Sequence, residues 1–96
     1  MTLHTLNCSP GSSAFADCLR FIAPGDALLL MGDGVYCAME DTGSGRELQA
    51  CGAALYVLGN DAAAAGVLAR IGDITVIDMD GFVSLSEQFP RQLAWY

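Results

Sequence analysis

Lysine is absent from the sequence, and four arginines (Arg20, Arg46, Arg70 and Arg91) stand against eleven acidic residues, for a formal net charge of -7. That scarcity of cations excludes direct nucleic-acid binding, because phosphate neutralisation supplies most non-specific affinity and four scattered guanidinium groups make no patch. An acidic surface suits a basic protein partner better. Long apolar runs are also missing. No stretch nears the roughly 18 consecutive residues of a membrane span, and no basic segment with an apolar core and cleavage site opens the sequence. A cytoplasmic location is expected. Cys8, Cys18, Cys37 and Cys51 show no C-x-x-C spacing, so neither a redox dithiol nor a zinc ribbon is indicated, and free thiols are expected. Nothing points to a cofactor or a metal. Internal repeats and low-complexity linkers are absent.

What the sequence does have is apolar mass. Of its 96 residues 53% are hydrophobic, and the mean hydropathy is +0.41. This length fits one domain over residues 1–96 with a single core. So small an interior cannot hide so many apolar side chains, and contiguous exposed patches mark interaction sites, so contact with other subunits is expected.

The organising stretch is Pro24 to Ala38. Ala27 to Met31 is a continuous apolar run too short for a helix, punctuated by Pro24-Gly25 before and Gly32-Asp33-Gly34 after, which reads as a central strand buried on both faces. A first strand is expected over Thr2 to Asn7. A helix follows it, capped by Ser12 or Ser13, with Phe15, Cys18, Leu19 and Ile22 on one arc. Beyond the central strand, a short helical turn through Val35 to Glu40 precedes Asp41-Thr42-Gly43-Ser44-Gly45, which reads as a mobile loop. Ala53 to Leu58 makes a third strand, followed by an alanine-rich helix capped by Asn60 or Asp61 and weakened at Gly66. Ile74 to Ile77 is a short strand, Phe82, Leu85 and Phe89 mark a last helix with Asp80 as its cap, and Gln92 to Tyr96 adds an edge strand. Strands alternating with helices predict a small three-layer α/β/α domain with a mainly parallel sheet of four to five strands.

In open parallel sheets, ligands and reactive groups gather beyond the carboxyl ends of the strands. Asp33, Tyr36 and Cys37 would lie there, although a strand-ending Asp-Gly turn needs those residue types for backbone reasons alone. Asp78-Met79-Asp80-Gly81 lacks the further oxygen ligands and glutamate of a calcium loop. Gly32-Asp33-Gly34 lacks the third glycine of a dinucleotide fingerprint.

Taken in order, Leu3-His4-Thr5-Leu6-Asn7 with Ser9-Pro10, Cys18-Leu19-Arg20, Gly25-Asp26-Ala27-Leu28-Leu29-Leu30, Asp33-Gly34-Val35-Tyr36, Tyr56-Val57-Leu58 and Trp95-Tyr96 resemble the DsrH/TusB family from end to end. The resemblance implies a DsrE-like fold and a place in a heterohexameric sulfur-relay complex with a DsrE-like (TusD) and a DsrF-like (TusC) subunit. Such complexes pass persulfide sulfur to a small downstream carrier, for 2-thiouridine at the wobble position of tRNA or for dissimilatory sulfur oxidation. In the sister subunits the sulfur-accepting cysteine follows the strand matching Tyr56-Val57-Leu58. Here that place reads Gly59-Asn60-Asp61, so the main persulfide site is expected on a partner.

A relay cysteine needs thiolate character, hence partial exposure and a positive field. Cys18 matches the first-helix cysteine of sulfur-oxidation members and is the candidate persulfide carrier, yet it lies on the apolar arc, where an inert buried thiol is equally consistent. Cys8 precedes a helix N-terminus, Cys37 is held in reserve, and Cys51 reads as structural. His4, the only histidine, reads as a satisfied core or interface residue. The expectation is an accessory, non-catalytic subunit of a cytoplasmic sulfurtransferase complex acting in tRNA thiolation through assembly or docking. The alternatives are direct sulfur carriage by Cys18 and an acidic homo-oligomeric binding domain.

Overall fold

The computed structural model describes all 96 residues. Five strands, β1 (Thr2–Leu6), β2 (Ala27–Leu30), β3 (Ala54–Leu58), β4 (Thr75–Ile77) and β5 (Arg91–Trp95), form one sheet in the order β4-β3-β2-β1-β5. Every pairing is parallel. The helices are α1 (Ser13–Phe21), α2 (Gly43–Gln49), α3 (Gly59–Ala64) and α4 (Met79–Glu87), with 3-10 turns over Gly32–Ala38 and Leu68–Arg70. No helix is long and apolar enough to cross a membrane.

Strand order and handedness together decide where the helices lie. The chain steps from β1 to β2, β3 and β4 in one direction, then crosses back to place β5 beside β1. Right-handed crossovers put the connections of the outward steps on one face and that of the return step on the other. Packing agrees. Val35, Cys37 and Ala38 of the long 3-10 turn, Leu48 of α2 and Ala62 of α3 join Leu6, Leu28, Leu30 and Val57 on one face. On the opposite face Leu85 of α4 meets Leu3, Ala27 and Leu29, with Tyr56, Phe82 and Phe89 alongside. All four β2 residues are fully buried. Each such leucine contributes about 1.5–3 kcal/mol of transfer free energy.

Three local expectations are corrected. The Gly-Ser-Gly segment is not a loop but the first turn of α2. Thr42 caps it, its Oγ1 accepting the Gly45 N–H at 3.1 Å, and the wholly buried Leu48 anchors it. Neither Asn60 nor Asp61 caps α3, which starts at Gly59 without a side-chain cap. Asp61 instead accepts the Gly32 N–H at 2.7 Å and ties α3 to the end of β2. Asp78, not Asp80, caps α4, accepting the Gly81 N–H at 2.8 Å. The helical turn expected over Val35 to Glu40 begins earlier, at Gly32. Gly66, at φ 76, follows the end of α3.

Candidate functional site

The carboxyl ends of the strands open into two clefts. The larger, about 710 Å3, lies between the start of α1 at Ser12 and Phe15, Tyr36 of the long 3-10 turn, and Thr42, Ser44 and Glu47 around α2. The smaller, about 470 Å3, lies between Gly59-Asn60 and Ile77-Asp78. Neither is lined by a cysteine, and no group of three or more His, Cys, Asp or Glu side chains is placed to hold a metal ion.

The thiols lie underneath. Cys18 and Cys37 have no exposed surface and Cys8 is 8% exposed, all three in the large core cluster, while Cys51 is half-buried. Burial, reinforced by neighbouring thiols, pushes both the Cys18 and the Cys37 thiol up to about 12. On the order of one molecule in 100,000 then carries a thiolate at either position at pH 7. The Cys37 Sγ–H points to the Cys8 carbonyl at 3.8 Å. The Cys8 side chain itself is buried in the large core cluster beyond the end of β1. Alkylation of the native protein should modify Cys51 first, and Cys18 and Cys37 only after unfolding; rapid native labelling of Cys18, read by peptide mass mapping, would contradict this burial.

After β3 the chain runs Gly59-Asn60-Asp61, without a thiol. A Cβ on Gly59 would stand 2.9 Å from Cγ1 of Val76 on β4. Asp33 is exposed, and with Tyr36 and Asp61 it borders a shallow hollow of about 260 Å3. The Asp-Gly turn seats the chain: Gly34 is buried, and a Cβ there would lie 2.9 Å from the Leu6 carbonyl carbon and closer still to its oxygen.

The opposite end of the sheet holds what the sequence reading did not assemble. His4 Nε2 lies 2.9 Å from Asp26 Oδ2, and the Trp95 indole Nε1–H donates to His4 Nδ1 at 3.1 Å. Asp26 also accepts the Thr2 N–H at 2.9 Å and the Ala23 N–H at 3.0 Å. Burial alone would raise the Asp26 carboxyl, but these bonds, His4 foremost, hold it below its ordinary value. His4, Asp26 and Trp95 sit in three separate motifs of the resemblance, and that was the available signal.

Two of the four arginines, Arg20 and Arg70, are engaged with Asp17 and Asp41. Comparison with known proteins bears on the family and the fold. The family described as "DsrH like protein" matches residues 8–92. Protein TusB of Escherichia coli (strain K12) is 39% identical over 94 residues, covering 97% of this chain and 99% of that protein, and Protein TusB of Pectobacterium parmentieri has the same identity and coverage. The solution NMR structure of Protein Tm0979 from Thermotoga maritima superposes with a TM-score of 0.68 at 20% identity, over 92% of this chain and 93% of that one, which establishes the likeness of fold. The chain belongs to the DsrH family.

Proposed function

We propose that this chain is a non-catalytic subunit of a cytoplasmic sulfur-relay complex that serves 2-thiouridine formation at the tRNA wobble position, contributing assembly and docking surface while a partner subunit carries the persulfide. The observation that carries this reading is that no cysteine lines a cleft and that the residues following β3, Gly59-Asn60-Asp61, include no thiol. Persulfide transfer requires an attacking thiolate with access to its sulfur donor. Cys18 and Cys37 offer neither.

Surface for partners is available. One nine-residue helix covers the second face of five strands, and on it Met79 and Val83 are 53% and 55% exposed; on the other face Val76 and Leu93, on the two edge strands, are 48% and 39% exposed. The partners that fit are the DsrE-like and DsrF-like subunits, with a small carrier downstream. Co-expression with those two subunits should yield a stable hetero-oligomer, and recovery of this chain only as a monomer or self-oligomer would overturn the proposal. Incubation of the isolated chain with a small-molecule persulfide donor should add no sulfur to Cys18 or Cys37 by peptide mass mapping, whatever the half-buried Cys51 takes up. A gain of one sulfur atom on the wild type that disappears in Cys18→Ser would make Cys18 a carrier and end the accessory reading.

A further inference from the structure

Among ordinary side chains the indole N–H can only donate a hydrogen bond. Its contact with His4 Nδ1 at 3.1 Å therefore requires a lone pair on that nitrogen. The single imidazole proton must then sit on Nε2, where it is donated to the Asp26 carboxylate at 2.9 Å. His4 is held as the neutral Nε2–H tautomer by two opposed partners, with 2% of its surface exposed.

A second proton changes only one of these contacts. The imidazolium keeps its bond to Asp26, but its new Nδ1–H points at the indole N–H, and two donors face each other with no acceptor between them. The Trp95 side chain must move. Its backbone need not, because β5 stays paired with β1 from Thr2↔Arg91 to Leu6↔Trp95. The indole is held from two sides: it packs against the large core cluster and lies stacked with His4, ring centroids 6.2 Å apart, while on its outer side the 66% exposed Phe21 meets it at 5.5 Å.

We propose that Trp95, His4 and Asp26 form a proton-operated latch, in which neutral His4 seats the indole on the sheet and protonated His4 releases it to solvent, uncovering the side of the large core cluster against which it packs. The charges that bear on His4 are few. Asp26, at the start of β2, favours the imidazolium. Arg91, at the start of β5, and the α-amino group of Met1 border the same cleft of about 580 Å3 and oppose it. Phe21 on α1 and Trp95 on β5 add only apolar surroundings. The latch stands independently of any role in sulfur transfer.

The chain has one histidine and one tryptophan, so each probe reports a single site. Nitrogen-15 NMR of the imidazole and the indole, with tryptophan fluorescence, is followed over roughly pH 8 to 5, the span in which imidazoles ordinarily titrate. The expected result is an Nε2–H tautomer at the upper end. On acidification the indole resonance should move to its solvent-exposed position and the emission should shift red, with the same midpoint as the imidazole and with far-ultraviolet circular dichroism unchanged. In His4→Gln the indole signals should not titrate. An Nδ1–H tautomer, an imidazole that stays neutral until the fold is lost, or an indole signal that ignores the imidazole titration would each overturn the latch. These three outcomes are read on the wild-type protein and hold even if the variant fails to fold.

Discussion

Asp26→Ala should lower the unfolding free energy by about 4 kcal/mol. The substitution strands three donors in or beside the core, the Thr2 N–H, the Ala23 N–H and the His4 Nε2–H. A buried donor left without a partner costs about 1–3 kcal/mol, partly relieved where water can enter. Against a total of about 5–15 kcal/mol for a domain, the loss is large, and at this chain length it corresponds to a fall in Tm of roughly 20 °C. The pH dependence checks the cause. Because the Asp26 carboxyl is held below its ordinary value, its contribution is full above the unfolded-state value of roughly 3.9 and is lost as pH falls through the lowered folded value. The stability gap between the wild type and the variant should narrow, without closing, as pH falls through the folded value, because the protonated carboxyl still accepts hydrogen bonds. A gap that does not change with pH would assign the whole effect to packing rather than to the carboxylate.

Gly34→Ala should cost about 3 kcal/mol, at the upper end of the overpacking range. The added methyl would press on the Leu6 carbonyl. That carbonyl belongs to β1 and already accepts the Met31 N–H at 3.1 Å. It is backbone inside a paired strand and cannot swing aside as a side-chain tip would. The neighbouring Asp33→Ala changes only an exposed carboxylate and should stay within about 0.5 kcal/mol. Urea denaturation of both variants makes the comparison, with an unchanged m-value showing that the folded state is the same. If Gly34→Ala proves as mild as Asp33→Ala, the Asp-Gly turn is not seated on β1, and a ligand-binding role for it returns.

The central strand was legible because the five consecutive apolar residues Ala27 to Met31, bounded by Pro24-Gly25 and a glycine turn, are too few for a helix and suit a strand buried on both faces. α1 was legible for a similar reason: Ser12 caps it, accepting the Phe15 N–H, and Phe15 and Cys18 return at helical spacing. α2 was not. Gly43-Ser44-Gly45 opens it with poor helix formers, and what overrides them is a Thr42 cap and one buried leucine, a tertiary fact. Asp61 was misread as a cap because its carboxylate is spent across the sheet on Gly32.

The site was legible by halves. The apolar arc of α1 already announced the burial of Cys18. Cys8 was placed correctly at the end of β1, but its burial depends on how the long 3-10 turn packs, which local pattern does not encode. The contact between His4 and Trp95 spans 91 positions. It exists only because β5 joins the sheet beside β1 rather than beyond β4, and alternation within Arg91–Trp95 reads the same at either edge.

That placement of β5 also has a consequence during synthesis. The strand that covers one edge of β1 is made some ninety residues after β1 itself. At roughly 5–20 residues per second, the edge stays open for several seconds. Throughout that interval Leu3, His4 and Leu6 line a strand with unpaired amides on one side, the arrangement most prone to pairing with a stranger. Whatever shields the nascent chain over that interval must act on β1.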